Sequence, residues 1–205
     1  RIKMLDLKAG GRGFIEYIPG KYAWRSVYAE HFMVVHCIWV VGRSKGSGYG
    51  ALLFDHCIED AKKEGLDGVA VVTNEGNWLV GKKFFLNQDF ESVDKAPTGF
   101  HLMVKKFRQG STPVFPDNWA DRIRRFGQGL TVVRTDQCPY LEDAESAVAA
   151  TAKRRGIPFQ SFKLNSSIEV RESAPSPYGV FSILHKGKLI GYHYLMQKEL
   201  ESRLP

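Results

Sequence analysis

The chain of 205 residues contains no apolar run near the roughly 18 residues a membrane span requires. Its first residues lack the series of charge, apolar core and small residues that marks a secretion signal. Cysteine is scarce: Cys37, Cys57 and Cys138 are too few and too scattered for a disulfide framework or a zinc site, which points to a reducing, cytoplasmic home. No internal repeat and no low-complexity tract is present. An initiating methionine is also lacking. The chain starts at Arg1 and "IKMLDL" already alternates like a strand, so earlier elements of the domain are expected outside this fragment.

What is there is ordinary in bulk. A hydrophobic content of 43% and a charged content of 25% suit a folded protein. The net charge of +7 and pI near 9.3 suit an anionic partner, nucleic acid or a polyphosphate cofactor, or simply a basic surface. Basic and aromatic residues do not interleave regularly, which argues against nucleic acid.

The first part reads as β-rich. "RIKMLDL" and "GRGFIEYIP" are strand-like runs around a "KAGG" turn, and "KYAWRSVY" continues the meander. "HFMVVHCIWVV", from His31 to Val41, predicts a strand buried on both faces. "YGALLFDHCIEDAKKEG" places Leu52, Leu53, Cys57, Ile58 and Ala61 at helical spacing, with Gly65 as its stop. "GVAVVT" is a further buried strand, "NWLVGKKFFLNQ" a shorter helix and "FHLMVKKF" a closing strand. Residues 108–128, with two prolines and four arginines on an expected solvated face, read as a connector with one helical turn. From Gly129 a second series follows in the order β-α-β-α-β-β-α, with Gly156 closing its first helix and a strand pair turning at Lys186–Gly187.

Between the long strand and the first helix lies "VVGRSKGSGYG", a glycine-rich turn of the kind that cradles phosphate. It is not a Walker loop: Lys45 precedes Gly46 instead of following a glycine, and no Ser or Thr stands ready for magnesium. Gly46, Gly48 and Ala51 match a dinucleotide fingerprint only loosely, and the acid at the end of the next strand, Glu75, falls well beyond the about 20 residues that fold requires. The pattern R/Q-x-x-G-x-G/A is matched at every defined position by Arg43, Ser44, Lys45, Gly46, Ser47 and Gly48. Here the chain resembles the GNAT superfamily of N-acetyltransferases. The resemblance extends to the strand before the loop, the helix after it, "GVAVVT", and "KKFFLNQDF" where the family often reads F-Y-x-x-x-G-F.

That resemblance implies a mixed α/β domain that binds acetyl-CoA. Backbone N–H groups from Arg43 to Gly50, Tyr49 included, would hold the pyrophosphate at a helix N-terminus. The strand edge at Ile38, Trp39 and Val40 would pair with the pantetheine amides, and an N–H near Val40 would face the developing oxyanion. The amine needs a base, for which His36 in the central strand is the candidate; a core histidine is the other reading of the same residue. The family's usual tyrosine acid falls on Phe85, which has no proton to give. The acceptor is an unspecified, small amine. The competing reading is a sensor that binds an acyl-CoA without transferring its acyl group.

In the second series, "TDQCPYLEDAE" puts Cys138 after a strand and at the start of a helix, where the dipole favours a thiolate. Cys-Pro-Tyr is similar to the active-site turn of glutaredoxins and thioredoxins, and "SAPSPYG" to the stretch where those folds carry a cis-proline, with Pro177 and then Pro175 the candidates. The fourth motif position is Leu141, so exchange between two thiols within the motif is excluded; a monothiol role and a structural one both stay open. Taken together, "FIEY", "AW", the glycine loop, "CPY" and "APSP" resemble the YoaP-type acetyltransferases of bacteria. The expected organisation is a GNAT domain over 1–107, a linker over 108–128 and a small thioredoxin-like β/α domain over 129–205.

Overall fold

Two valine-containing runs, around residues 32–41 and 130–134, each form an inner strand of a sheet. The computed structural model describes residues 1–5, 12–42, 46–76 and 78–204. The chain forms two units: Arg1–Ala23 with Val27–Phe115, and Trp24–Ser26 with Pro116–Pro205.

The first unit holds a six-stranded sheet of β1 (Ile2–Met4), β2 (Arg12–Pro19), β3 (Phe32–Val41), β4 (Gly68–Thr73), β5 (Glu91–Ala96) and β6 (Phe100–Lys106), in the order β1-β2-β3-β4-β6-β5. Only β3 and β4 run parallel; the other pairs are antiparallel. The parallel pair is bridged by α1 (Tyr49–Lys63), which buries Leu53, Phe54, Cys57 and Ala61 against the sheet. Their spacing of one, three and four residues draws a single stripe along a 3.6-residue helix. Leu52, expected in that stripe, points out and Phe54 takes its place. Each fully buried stripe residue of Leu or Phe size contributes about 1.5–3 kcal/mol. Gly65, at φ 70, ends α1 as expected, with the Gly65 and Leu66 N–H groups donating to the carbonyls of Lys62 and Ala61.

A polar tie fastens β1 and β2 to α1. The Tyr17 hydroxyl, buried at 0% exposure, donates to Asp60 Oδ2 at 2.7 Å, and Lys3 and Arg1 approach the same carboxylate at 3.4 and 3.6 Å. The Tyr17 hydrogen bond holds the Asp60 carboxyl below its ordinary range. Burial in turn pushes the Tyr17 phenol well up.

Three sequence expectations change in this unit. "KYAWRSVY" does not continue the meander: Gly20–Tyr22 forms a 3₁₀ turn, and Trp24–Ser26 leaves to join the second unit. The helix expected across "NWLVGKKFFLNQ" is only α2 (Lys82–Leu86), started from Gly81. Strand β5 was not expected, because "ESVDKA" carries no apolar alternation; it is an edge strand pairing with β6 alone. The "KAGG" turn lies outside the described residues.

In the second unit, α3 (Trp119–Arg124) precedes β7 (Leu130–Arg134), α4 (Leu141–Arg155), β8 (Phe159–Lys163), α5 (Ser167–Ser173), β9 (Phe181–His185), β10 (Lys188–Gly191) and α6 (Gln197–Arg203). From β7 onward this is the expected element order. The sheet runs β10-β9-β7-β8, with β7 and β8 parallel and the other pairs antiparallel. Its core gathers Phe126, Val133, Leu164, Val170, Ala174 and Leu184, with Trp24 and Ile123 against them. Trp24–Ser26 is held here by the Ser26 hydroxyl donating to the Val170 carbonyl at 3.0 Å and by Arg25 over the Tyr178 ring at 4.5 Å. Gly179 permits that approach: a Cβ there would sit 2.8 Å from Val170 and 3.0 Å from the Arg25 Cα.

Two further expectations fail in this unit. Arg122, assigned to a solvated face, is 1% exposed, its Nε donating to Asn118 Oδ1 at 2.7 Å and its guanidinium lying over Trp119. No cis peptide bond occurs among the described residues, so Pro175 and Pro177 follow trans bonds. The chain reverses instead at Gly179, with φ 80 and its N–H donating to the Ser176 carbonyl at 3.0 Å.

Candidate active site

Strand β3 is built in two halves. From Phe32 to Val35 it pairs with β4 on one side, and from Met33 onward with β2 on the other; Phe32 to Val35 are all buried. Past Val35 the ladder with β4 stops, while β3 runs on to Val41 beside β2. At the transition the register slips: Glu16 lies opposite Cys37 and Tyr17 opposite Val35, leaving His36 as the extra residue of a bulge. The side-chain parity switches there. Met33 and Val35 face the α1 core, and beyond the bulge Ile38 and Val40 face it. A strand expected to be buried on both faces is therefore buried only in its first half, with Cys37 exposed and Trp39 at 47%.

The bulge places His36, 8% exposed, with Nδ1 3.6 Å from Glu16 Oε1. Sequence reasoning named His36 and passed over Glu16, whose only signal was a lone acid inside "FIEYIP". A second imidazole was also missed. His101 on β6 lies opposite Thr73, the last residue of β4, and its Nδ1 is 2.8 Å from the Ser92 hydroxyl. Burial, then the charges of Lys82 and Lys95, pull its pKa below the ordinary value.

Beyond Val41 the chain turns into α1. Arg43, Ser44 and Lys45 lie outside the described residues. Gly46 and Gly48 take φ 82 and 81, left-handed values that L side chains rarely adopt. A Cβ built on either meets nothing within 4 Å, so the turn opens onto free space. Gly48 is the N-cap of α1, and the helix carries no acid in its first turn. Ser47 lies exposed between the two glycines, and Tyr49 half-buried on the first turn. Gly50 packs under Phe84, with a built Cβ 3.2 Å from the ring. Two left-handed glycines with open space beside them and an acid-free helix start suit the close approach of a pyrophosphate.

Phe85 is 1% exposed, with its ring 5.3 to 5.8 Å from Phe54, Phe84 and Phe90. It belongs to the aromatic core. Asp89, where the family motif reads glycine, takes φ 58. In the second unit, Cys138 is half-buried in the turn before α4, its carbonyl accepting from the Leu141 N–H at 3.2 Å. It belongs to the second unit. Among the described residues no helix is long and apolar enough to cross a membrane.

A bulged central strand that feeds a glycine turn and a helix is the mixed α/β arrangement that the resemblance to the GNAT acyltransferases implies. No protein-family profile matches the chain. Over 195 residues it is 31% identical to YoaP, an uncharacterized N-acetyltransferase of Bacillus subtilis (strain 168), across 93% of this chain and 76% of that protein. The chain belongs to this YoaP family of GNAT N-acetyltransferases, and is an enzyme of the N-acetyltransferase class. Among solved structures it is similar to the PaiA N-acetyltransferase of Thermoplasma acidophilum in complex with coenzyme A, at 18% identity and TM-score 0.37, over 46% of this chain and 53% of that one. It thus spans about half the length of that protein. The ribosomal-protein-S18-alanine N-acetyltransferase of Escherichia coli is similar at 13% identity and TM-score 0.33, over 51% and 68% of the two chains.

Proposed function

We propose that the first unit transfers an acetyl group from acetyl-CoA to a small amine. The observation that carries the reading is the end of the β3–β4 ladder at Val35, with β3 continuing into a left-handed glycine turn at the start of α1. In this reading Arg43 to Gly50 hold the pyrophosphate, and the backbone of Ile38, Trp39 and Val40 pairs with the pantetheine arm. The donor supplies a thioester carbonyl for the amine nitrogen to attack, the C–S bond breaking as the C–N bond forms. The chain's own tasks are to orient that carbonyl, present an N–H near Val40 to the oxyanion, and take the amine's proton. His36 takes the proton, and Glu16, 3.6 Å away, stabilises the imidazolium. The acid place falls on Phe85, inside the aromatic core, so the thiolate leaves without a tyrosine.

We further propose that residues 129–205 form a thioredoxin-like domain, beyond a transferase domain over 1–107 and a segment over 108–128. The order β10-β9-β7-β8 around a parallel β7–β8 pair supports it. Cys138 is its candidate functional thiol.

The test is thiol release from acetyl-CoA with a panel of small primary amines. Release above the amine-free rate is expected, falling about 10²-fold in His36→Ala. Coenzyme A at about 100 times its Kd should also stabilise the chain by about 2.7 kcal/mol, read as a rise in melting temperature. A melting shift without release from any amine would leave a sensor; no shift at millimolar ligand would remove the donor as well.

A further inference from the structure

The face of the first sheet that turns away from α1 changes character along β3. On the inner strands Val34, Ala70, Val72 and Leu102 alternate with residues of the α1 core, so they point to that face, and all four are buried. Beyond the bulge at His36 the face becomes exposed. Directly opposed residues of antiparallel strands share a face, so the pairings set two rows of three across β1, β2 and β3. One row is Ile2, Glu16 and Cys37, and the next is Met4, Phe14 and Trp39. Ile15 and Tyr17, the neighbours of Glu16 on β2, belong to the α1 core, which fixes both rows on the opposite face.

The rows are largely apolar. Ile2 is 63% exposed, Met4 78% and Trp39 47%, and the Phe14 and Trp39 rings lie 6.0 Å apart between centroids. Single exposed apolar residues are ordinary on a protein surface, whereas contiguous ones mark a binding face. The acid of the two rows is Glu16, its side chain 29% exposed and its carboxylate 3.6 Å from His36 Nδ1. The apolar patch therefore ends at the pair to which the proposed reaction assigns the amine's proton. Arg12 stands at the other end, two residues past Phe14 on the same face of β2.

The spacing sets the class of ligand. Glu16 and Phe14 are two residues apart on β2, a span of about 7 Å along a strand. An ammonium at the Glu16 carboxylate would place a ring carried on a short alkyl link beside Phe14, Trp39 and Met4. There the ring gains tilted or edge-on aromatic packing and leaves water. A hydroxyl in the same place would give up its hydration for apolar side chains.

We infer that this face binds a primary amine with an aromatic body, its nitrogen at Glu16 and its ring against Phe14, Trp39 and Met4. That amine is the acceptor, a role that rests on the acetyl-transfer reading; its binding can be measured without transfer. The full chain, saturated with coenzyme A, should be titrated calorimetrically with 2-phenylethylamine and with ethanolamine. Thiol release from acetyl-CoA should be measured with the same two amines. The aromatic amine is expected to bind at least about tenfold tighter, with a KM lower by a similar factor. Phe14→Thr should weaken it at least about fivefold, and Met4→Thr, at an exposed strand position that folding does not depend on, at least about twofold. Ethanolamine should bind both variants as it binds the unsubstituted chain. Equal affinities for the two amines, no saturable binding of either, or an aromatic amine bound unchanged by every variant that folds would overturn the proposal. Selective binding without thiol release would keep the face as an amine site and remove acetyl transfer. Release with both amines at one KM would keep acetyl transfer and remove the face.

Discussion

Each unit contains a strand, a turn and a 15-residue helix, and the two copies of this arrangement have opposite electrostatics. β3 enters α1 through glycines held at φ 82 and 81, and the first turn of α1 carries no acid. β7 enters α4 through Cys138 and Tyr140, and the first turn of α4 carries Glu142 and Asp143. Both helix ends gather unsatisfied N–H groups and the positive pole of the dipole. In α1 no acid of the first turn meets that pole. In α4 the chain's own carboxylates already meet it. On the proposed reading, a similar helix start is an anion cradle in the first unit, and in the second it is met by the chain's own acids.

The largest expected effect comes from filling the cradle. Gly48→Ala forces a Cβ into the open space of the turn and holds an L residue at φ 81, a strain of about 1–2 kcal/mol. Gly127→Ala in the second unit imposes comparable strain at φ 73, also with nothing within 4 Å of its Cβ. By urea unfolding the two should lose similar stability, about 1 kcal/mol or more. Calorimetric titration with coenzyme A separates them: affinity is expected to fall at least about tenfold for Gly48→Ala, worth about 1.4 kcal/mol, and to stay unchanged for Gly127→Ala. Equal losses would show that the turn acts through stability alone.

The comparison also shows why some features were legible and others were not. The glycine turn was readable because its φ values require glycine at particular places, and the helix stops at Gly65 and Gly156 follow the same logic. The element order after Gly129 was readable because the strands are short and bounded by turn residues, with β7 and β9 strongly apolar. The two halves of β3 were not. A uniform run from Phe32 to Val41 conceals a bulge, since the parity switch at His36 leaves apolar residues on either side of it. Glu16 enters the site only through that slip in register, which pairs it with Cys37. β5 is a polar edge strand and carries no hydrophobic period. Trp24–Ser26 packs in a unit whose other residues begin at Pro116, a long-range choice that no local pattern encodes.

A smaller effect is expected from giving α1 the character of α4. Ala51 lies in the first turn of α1, and Ala51→Glu introduces the kind of charge that Glu142 and Asp143 supply in α4. A charge beside a helix terminus is worth about 0.3–1 kcal/mol, so coenzyme A affinity should fall about two- to fivefold. The helix itself should gain slightly, because an acid near its N-terminus is favourable without the ligand. Weaker binding together with an unchanged or higher melting temperature is the expected pair of results. Weaker binding through a falling melting temperature would point to lost packing in place of electrostatics.

The smallest effect is expected at Cys138. Its turn lies in the unit without the glycine cradle, and the next helix opens with two carboxylates that oppose further negative charge at that end. The fourth position of its motif, Leu141, is 2% exposed, so that place is used for packing and could not present a resolving thiol without opening the core. Cys138→Ser should therefore leave acetyl release within about twofold of the unsubstituted chain, a change under about 0.5 kcal/mol in the barrier. The same variant should leave coenzyme A affinity unchanged. A drop of tenfold or more in the transfer rate would tie the two units into one catalytic assembly and end the contrast between their helix starts. A preserved rate would leave the transfer chemistry with the β3 bulge and the glycine turn.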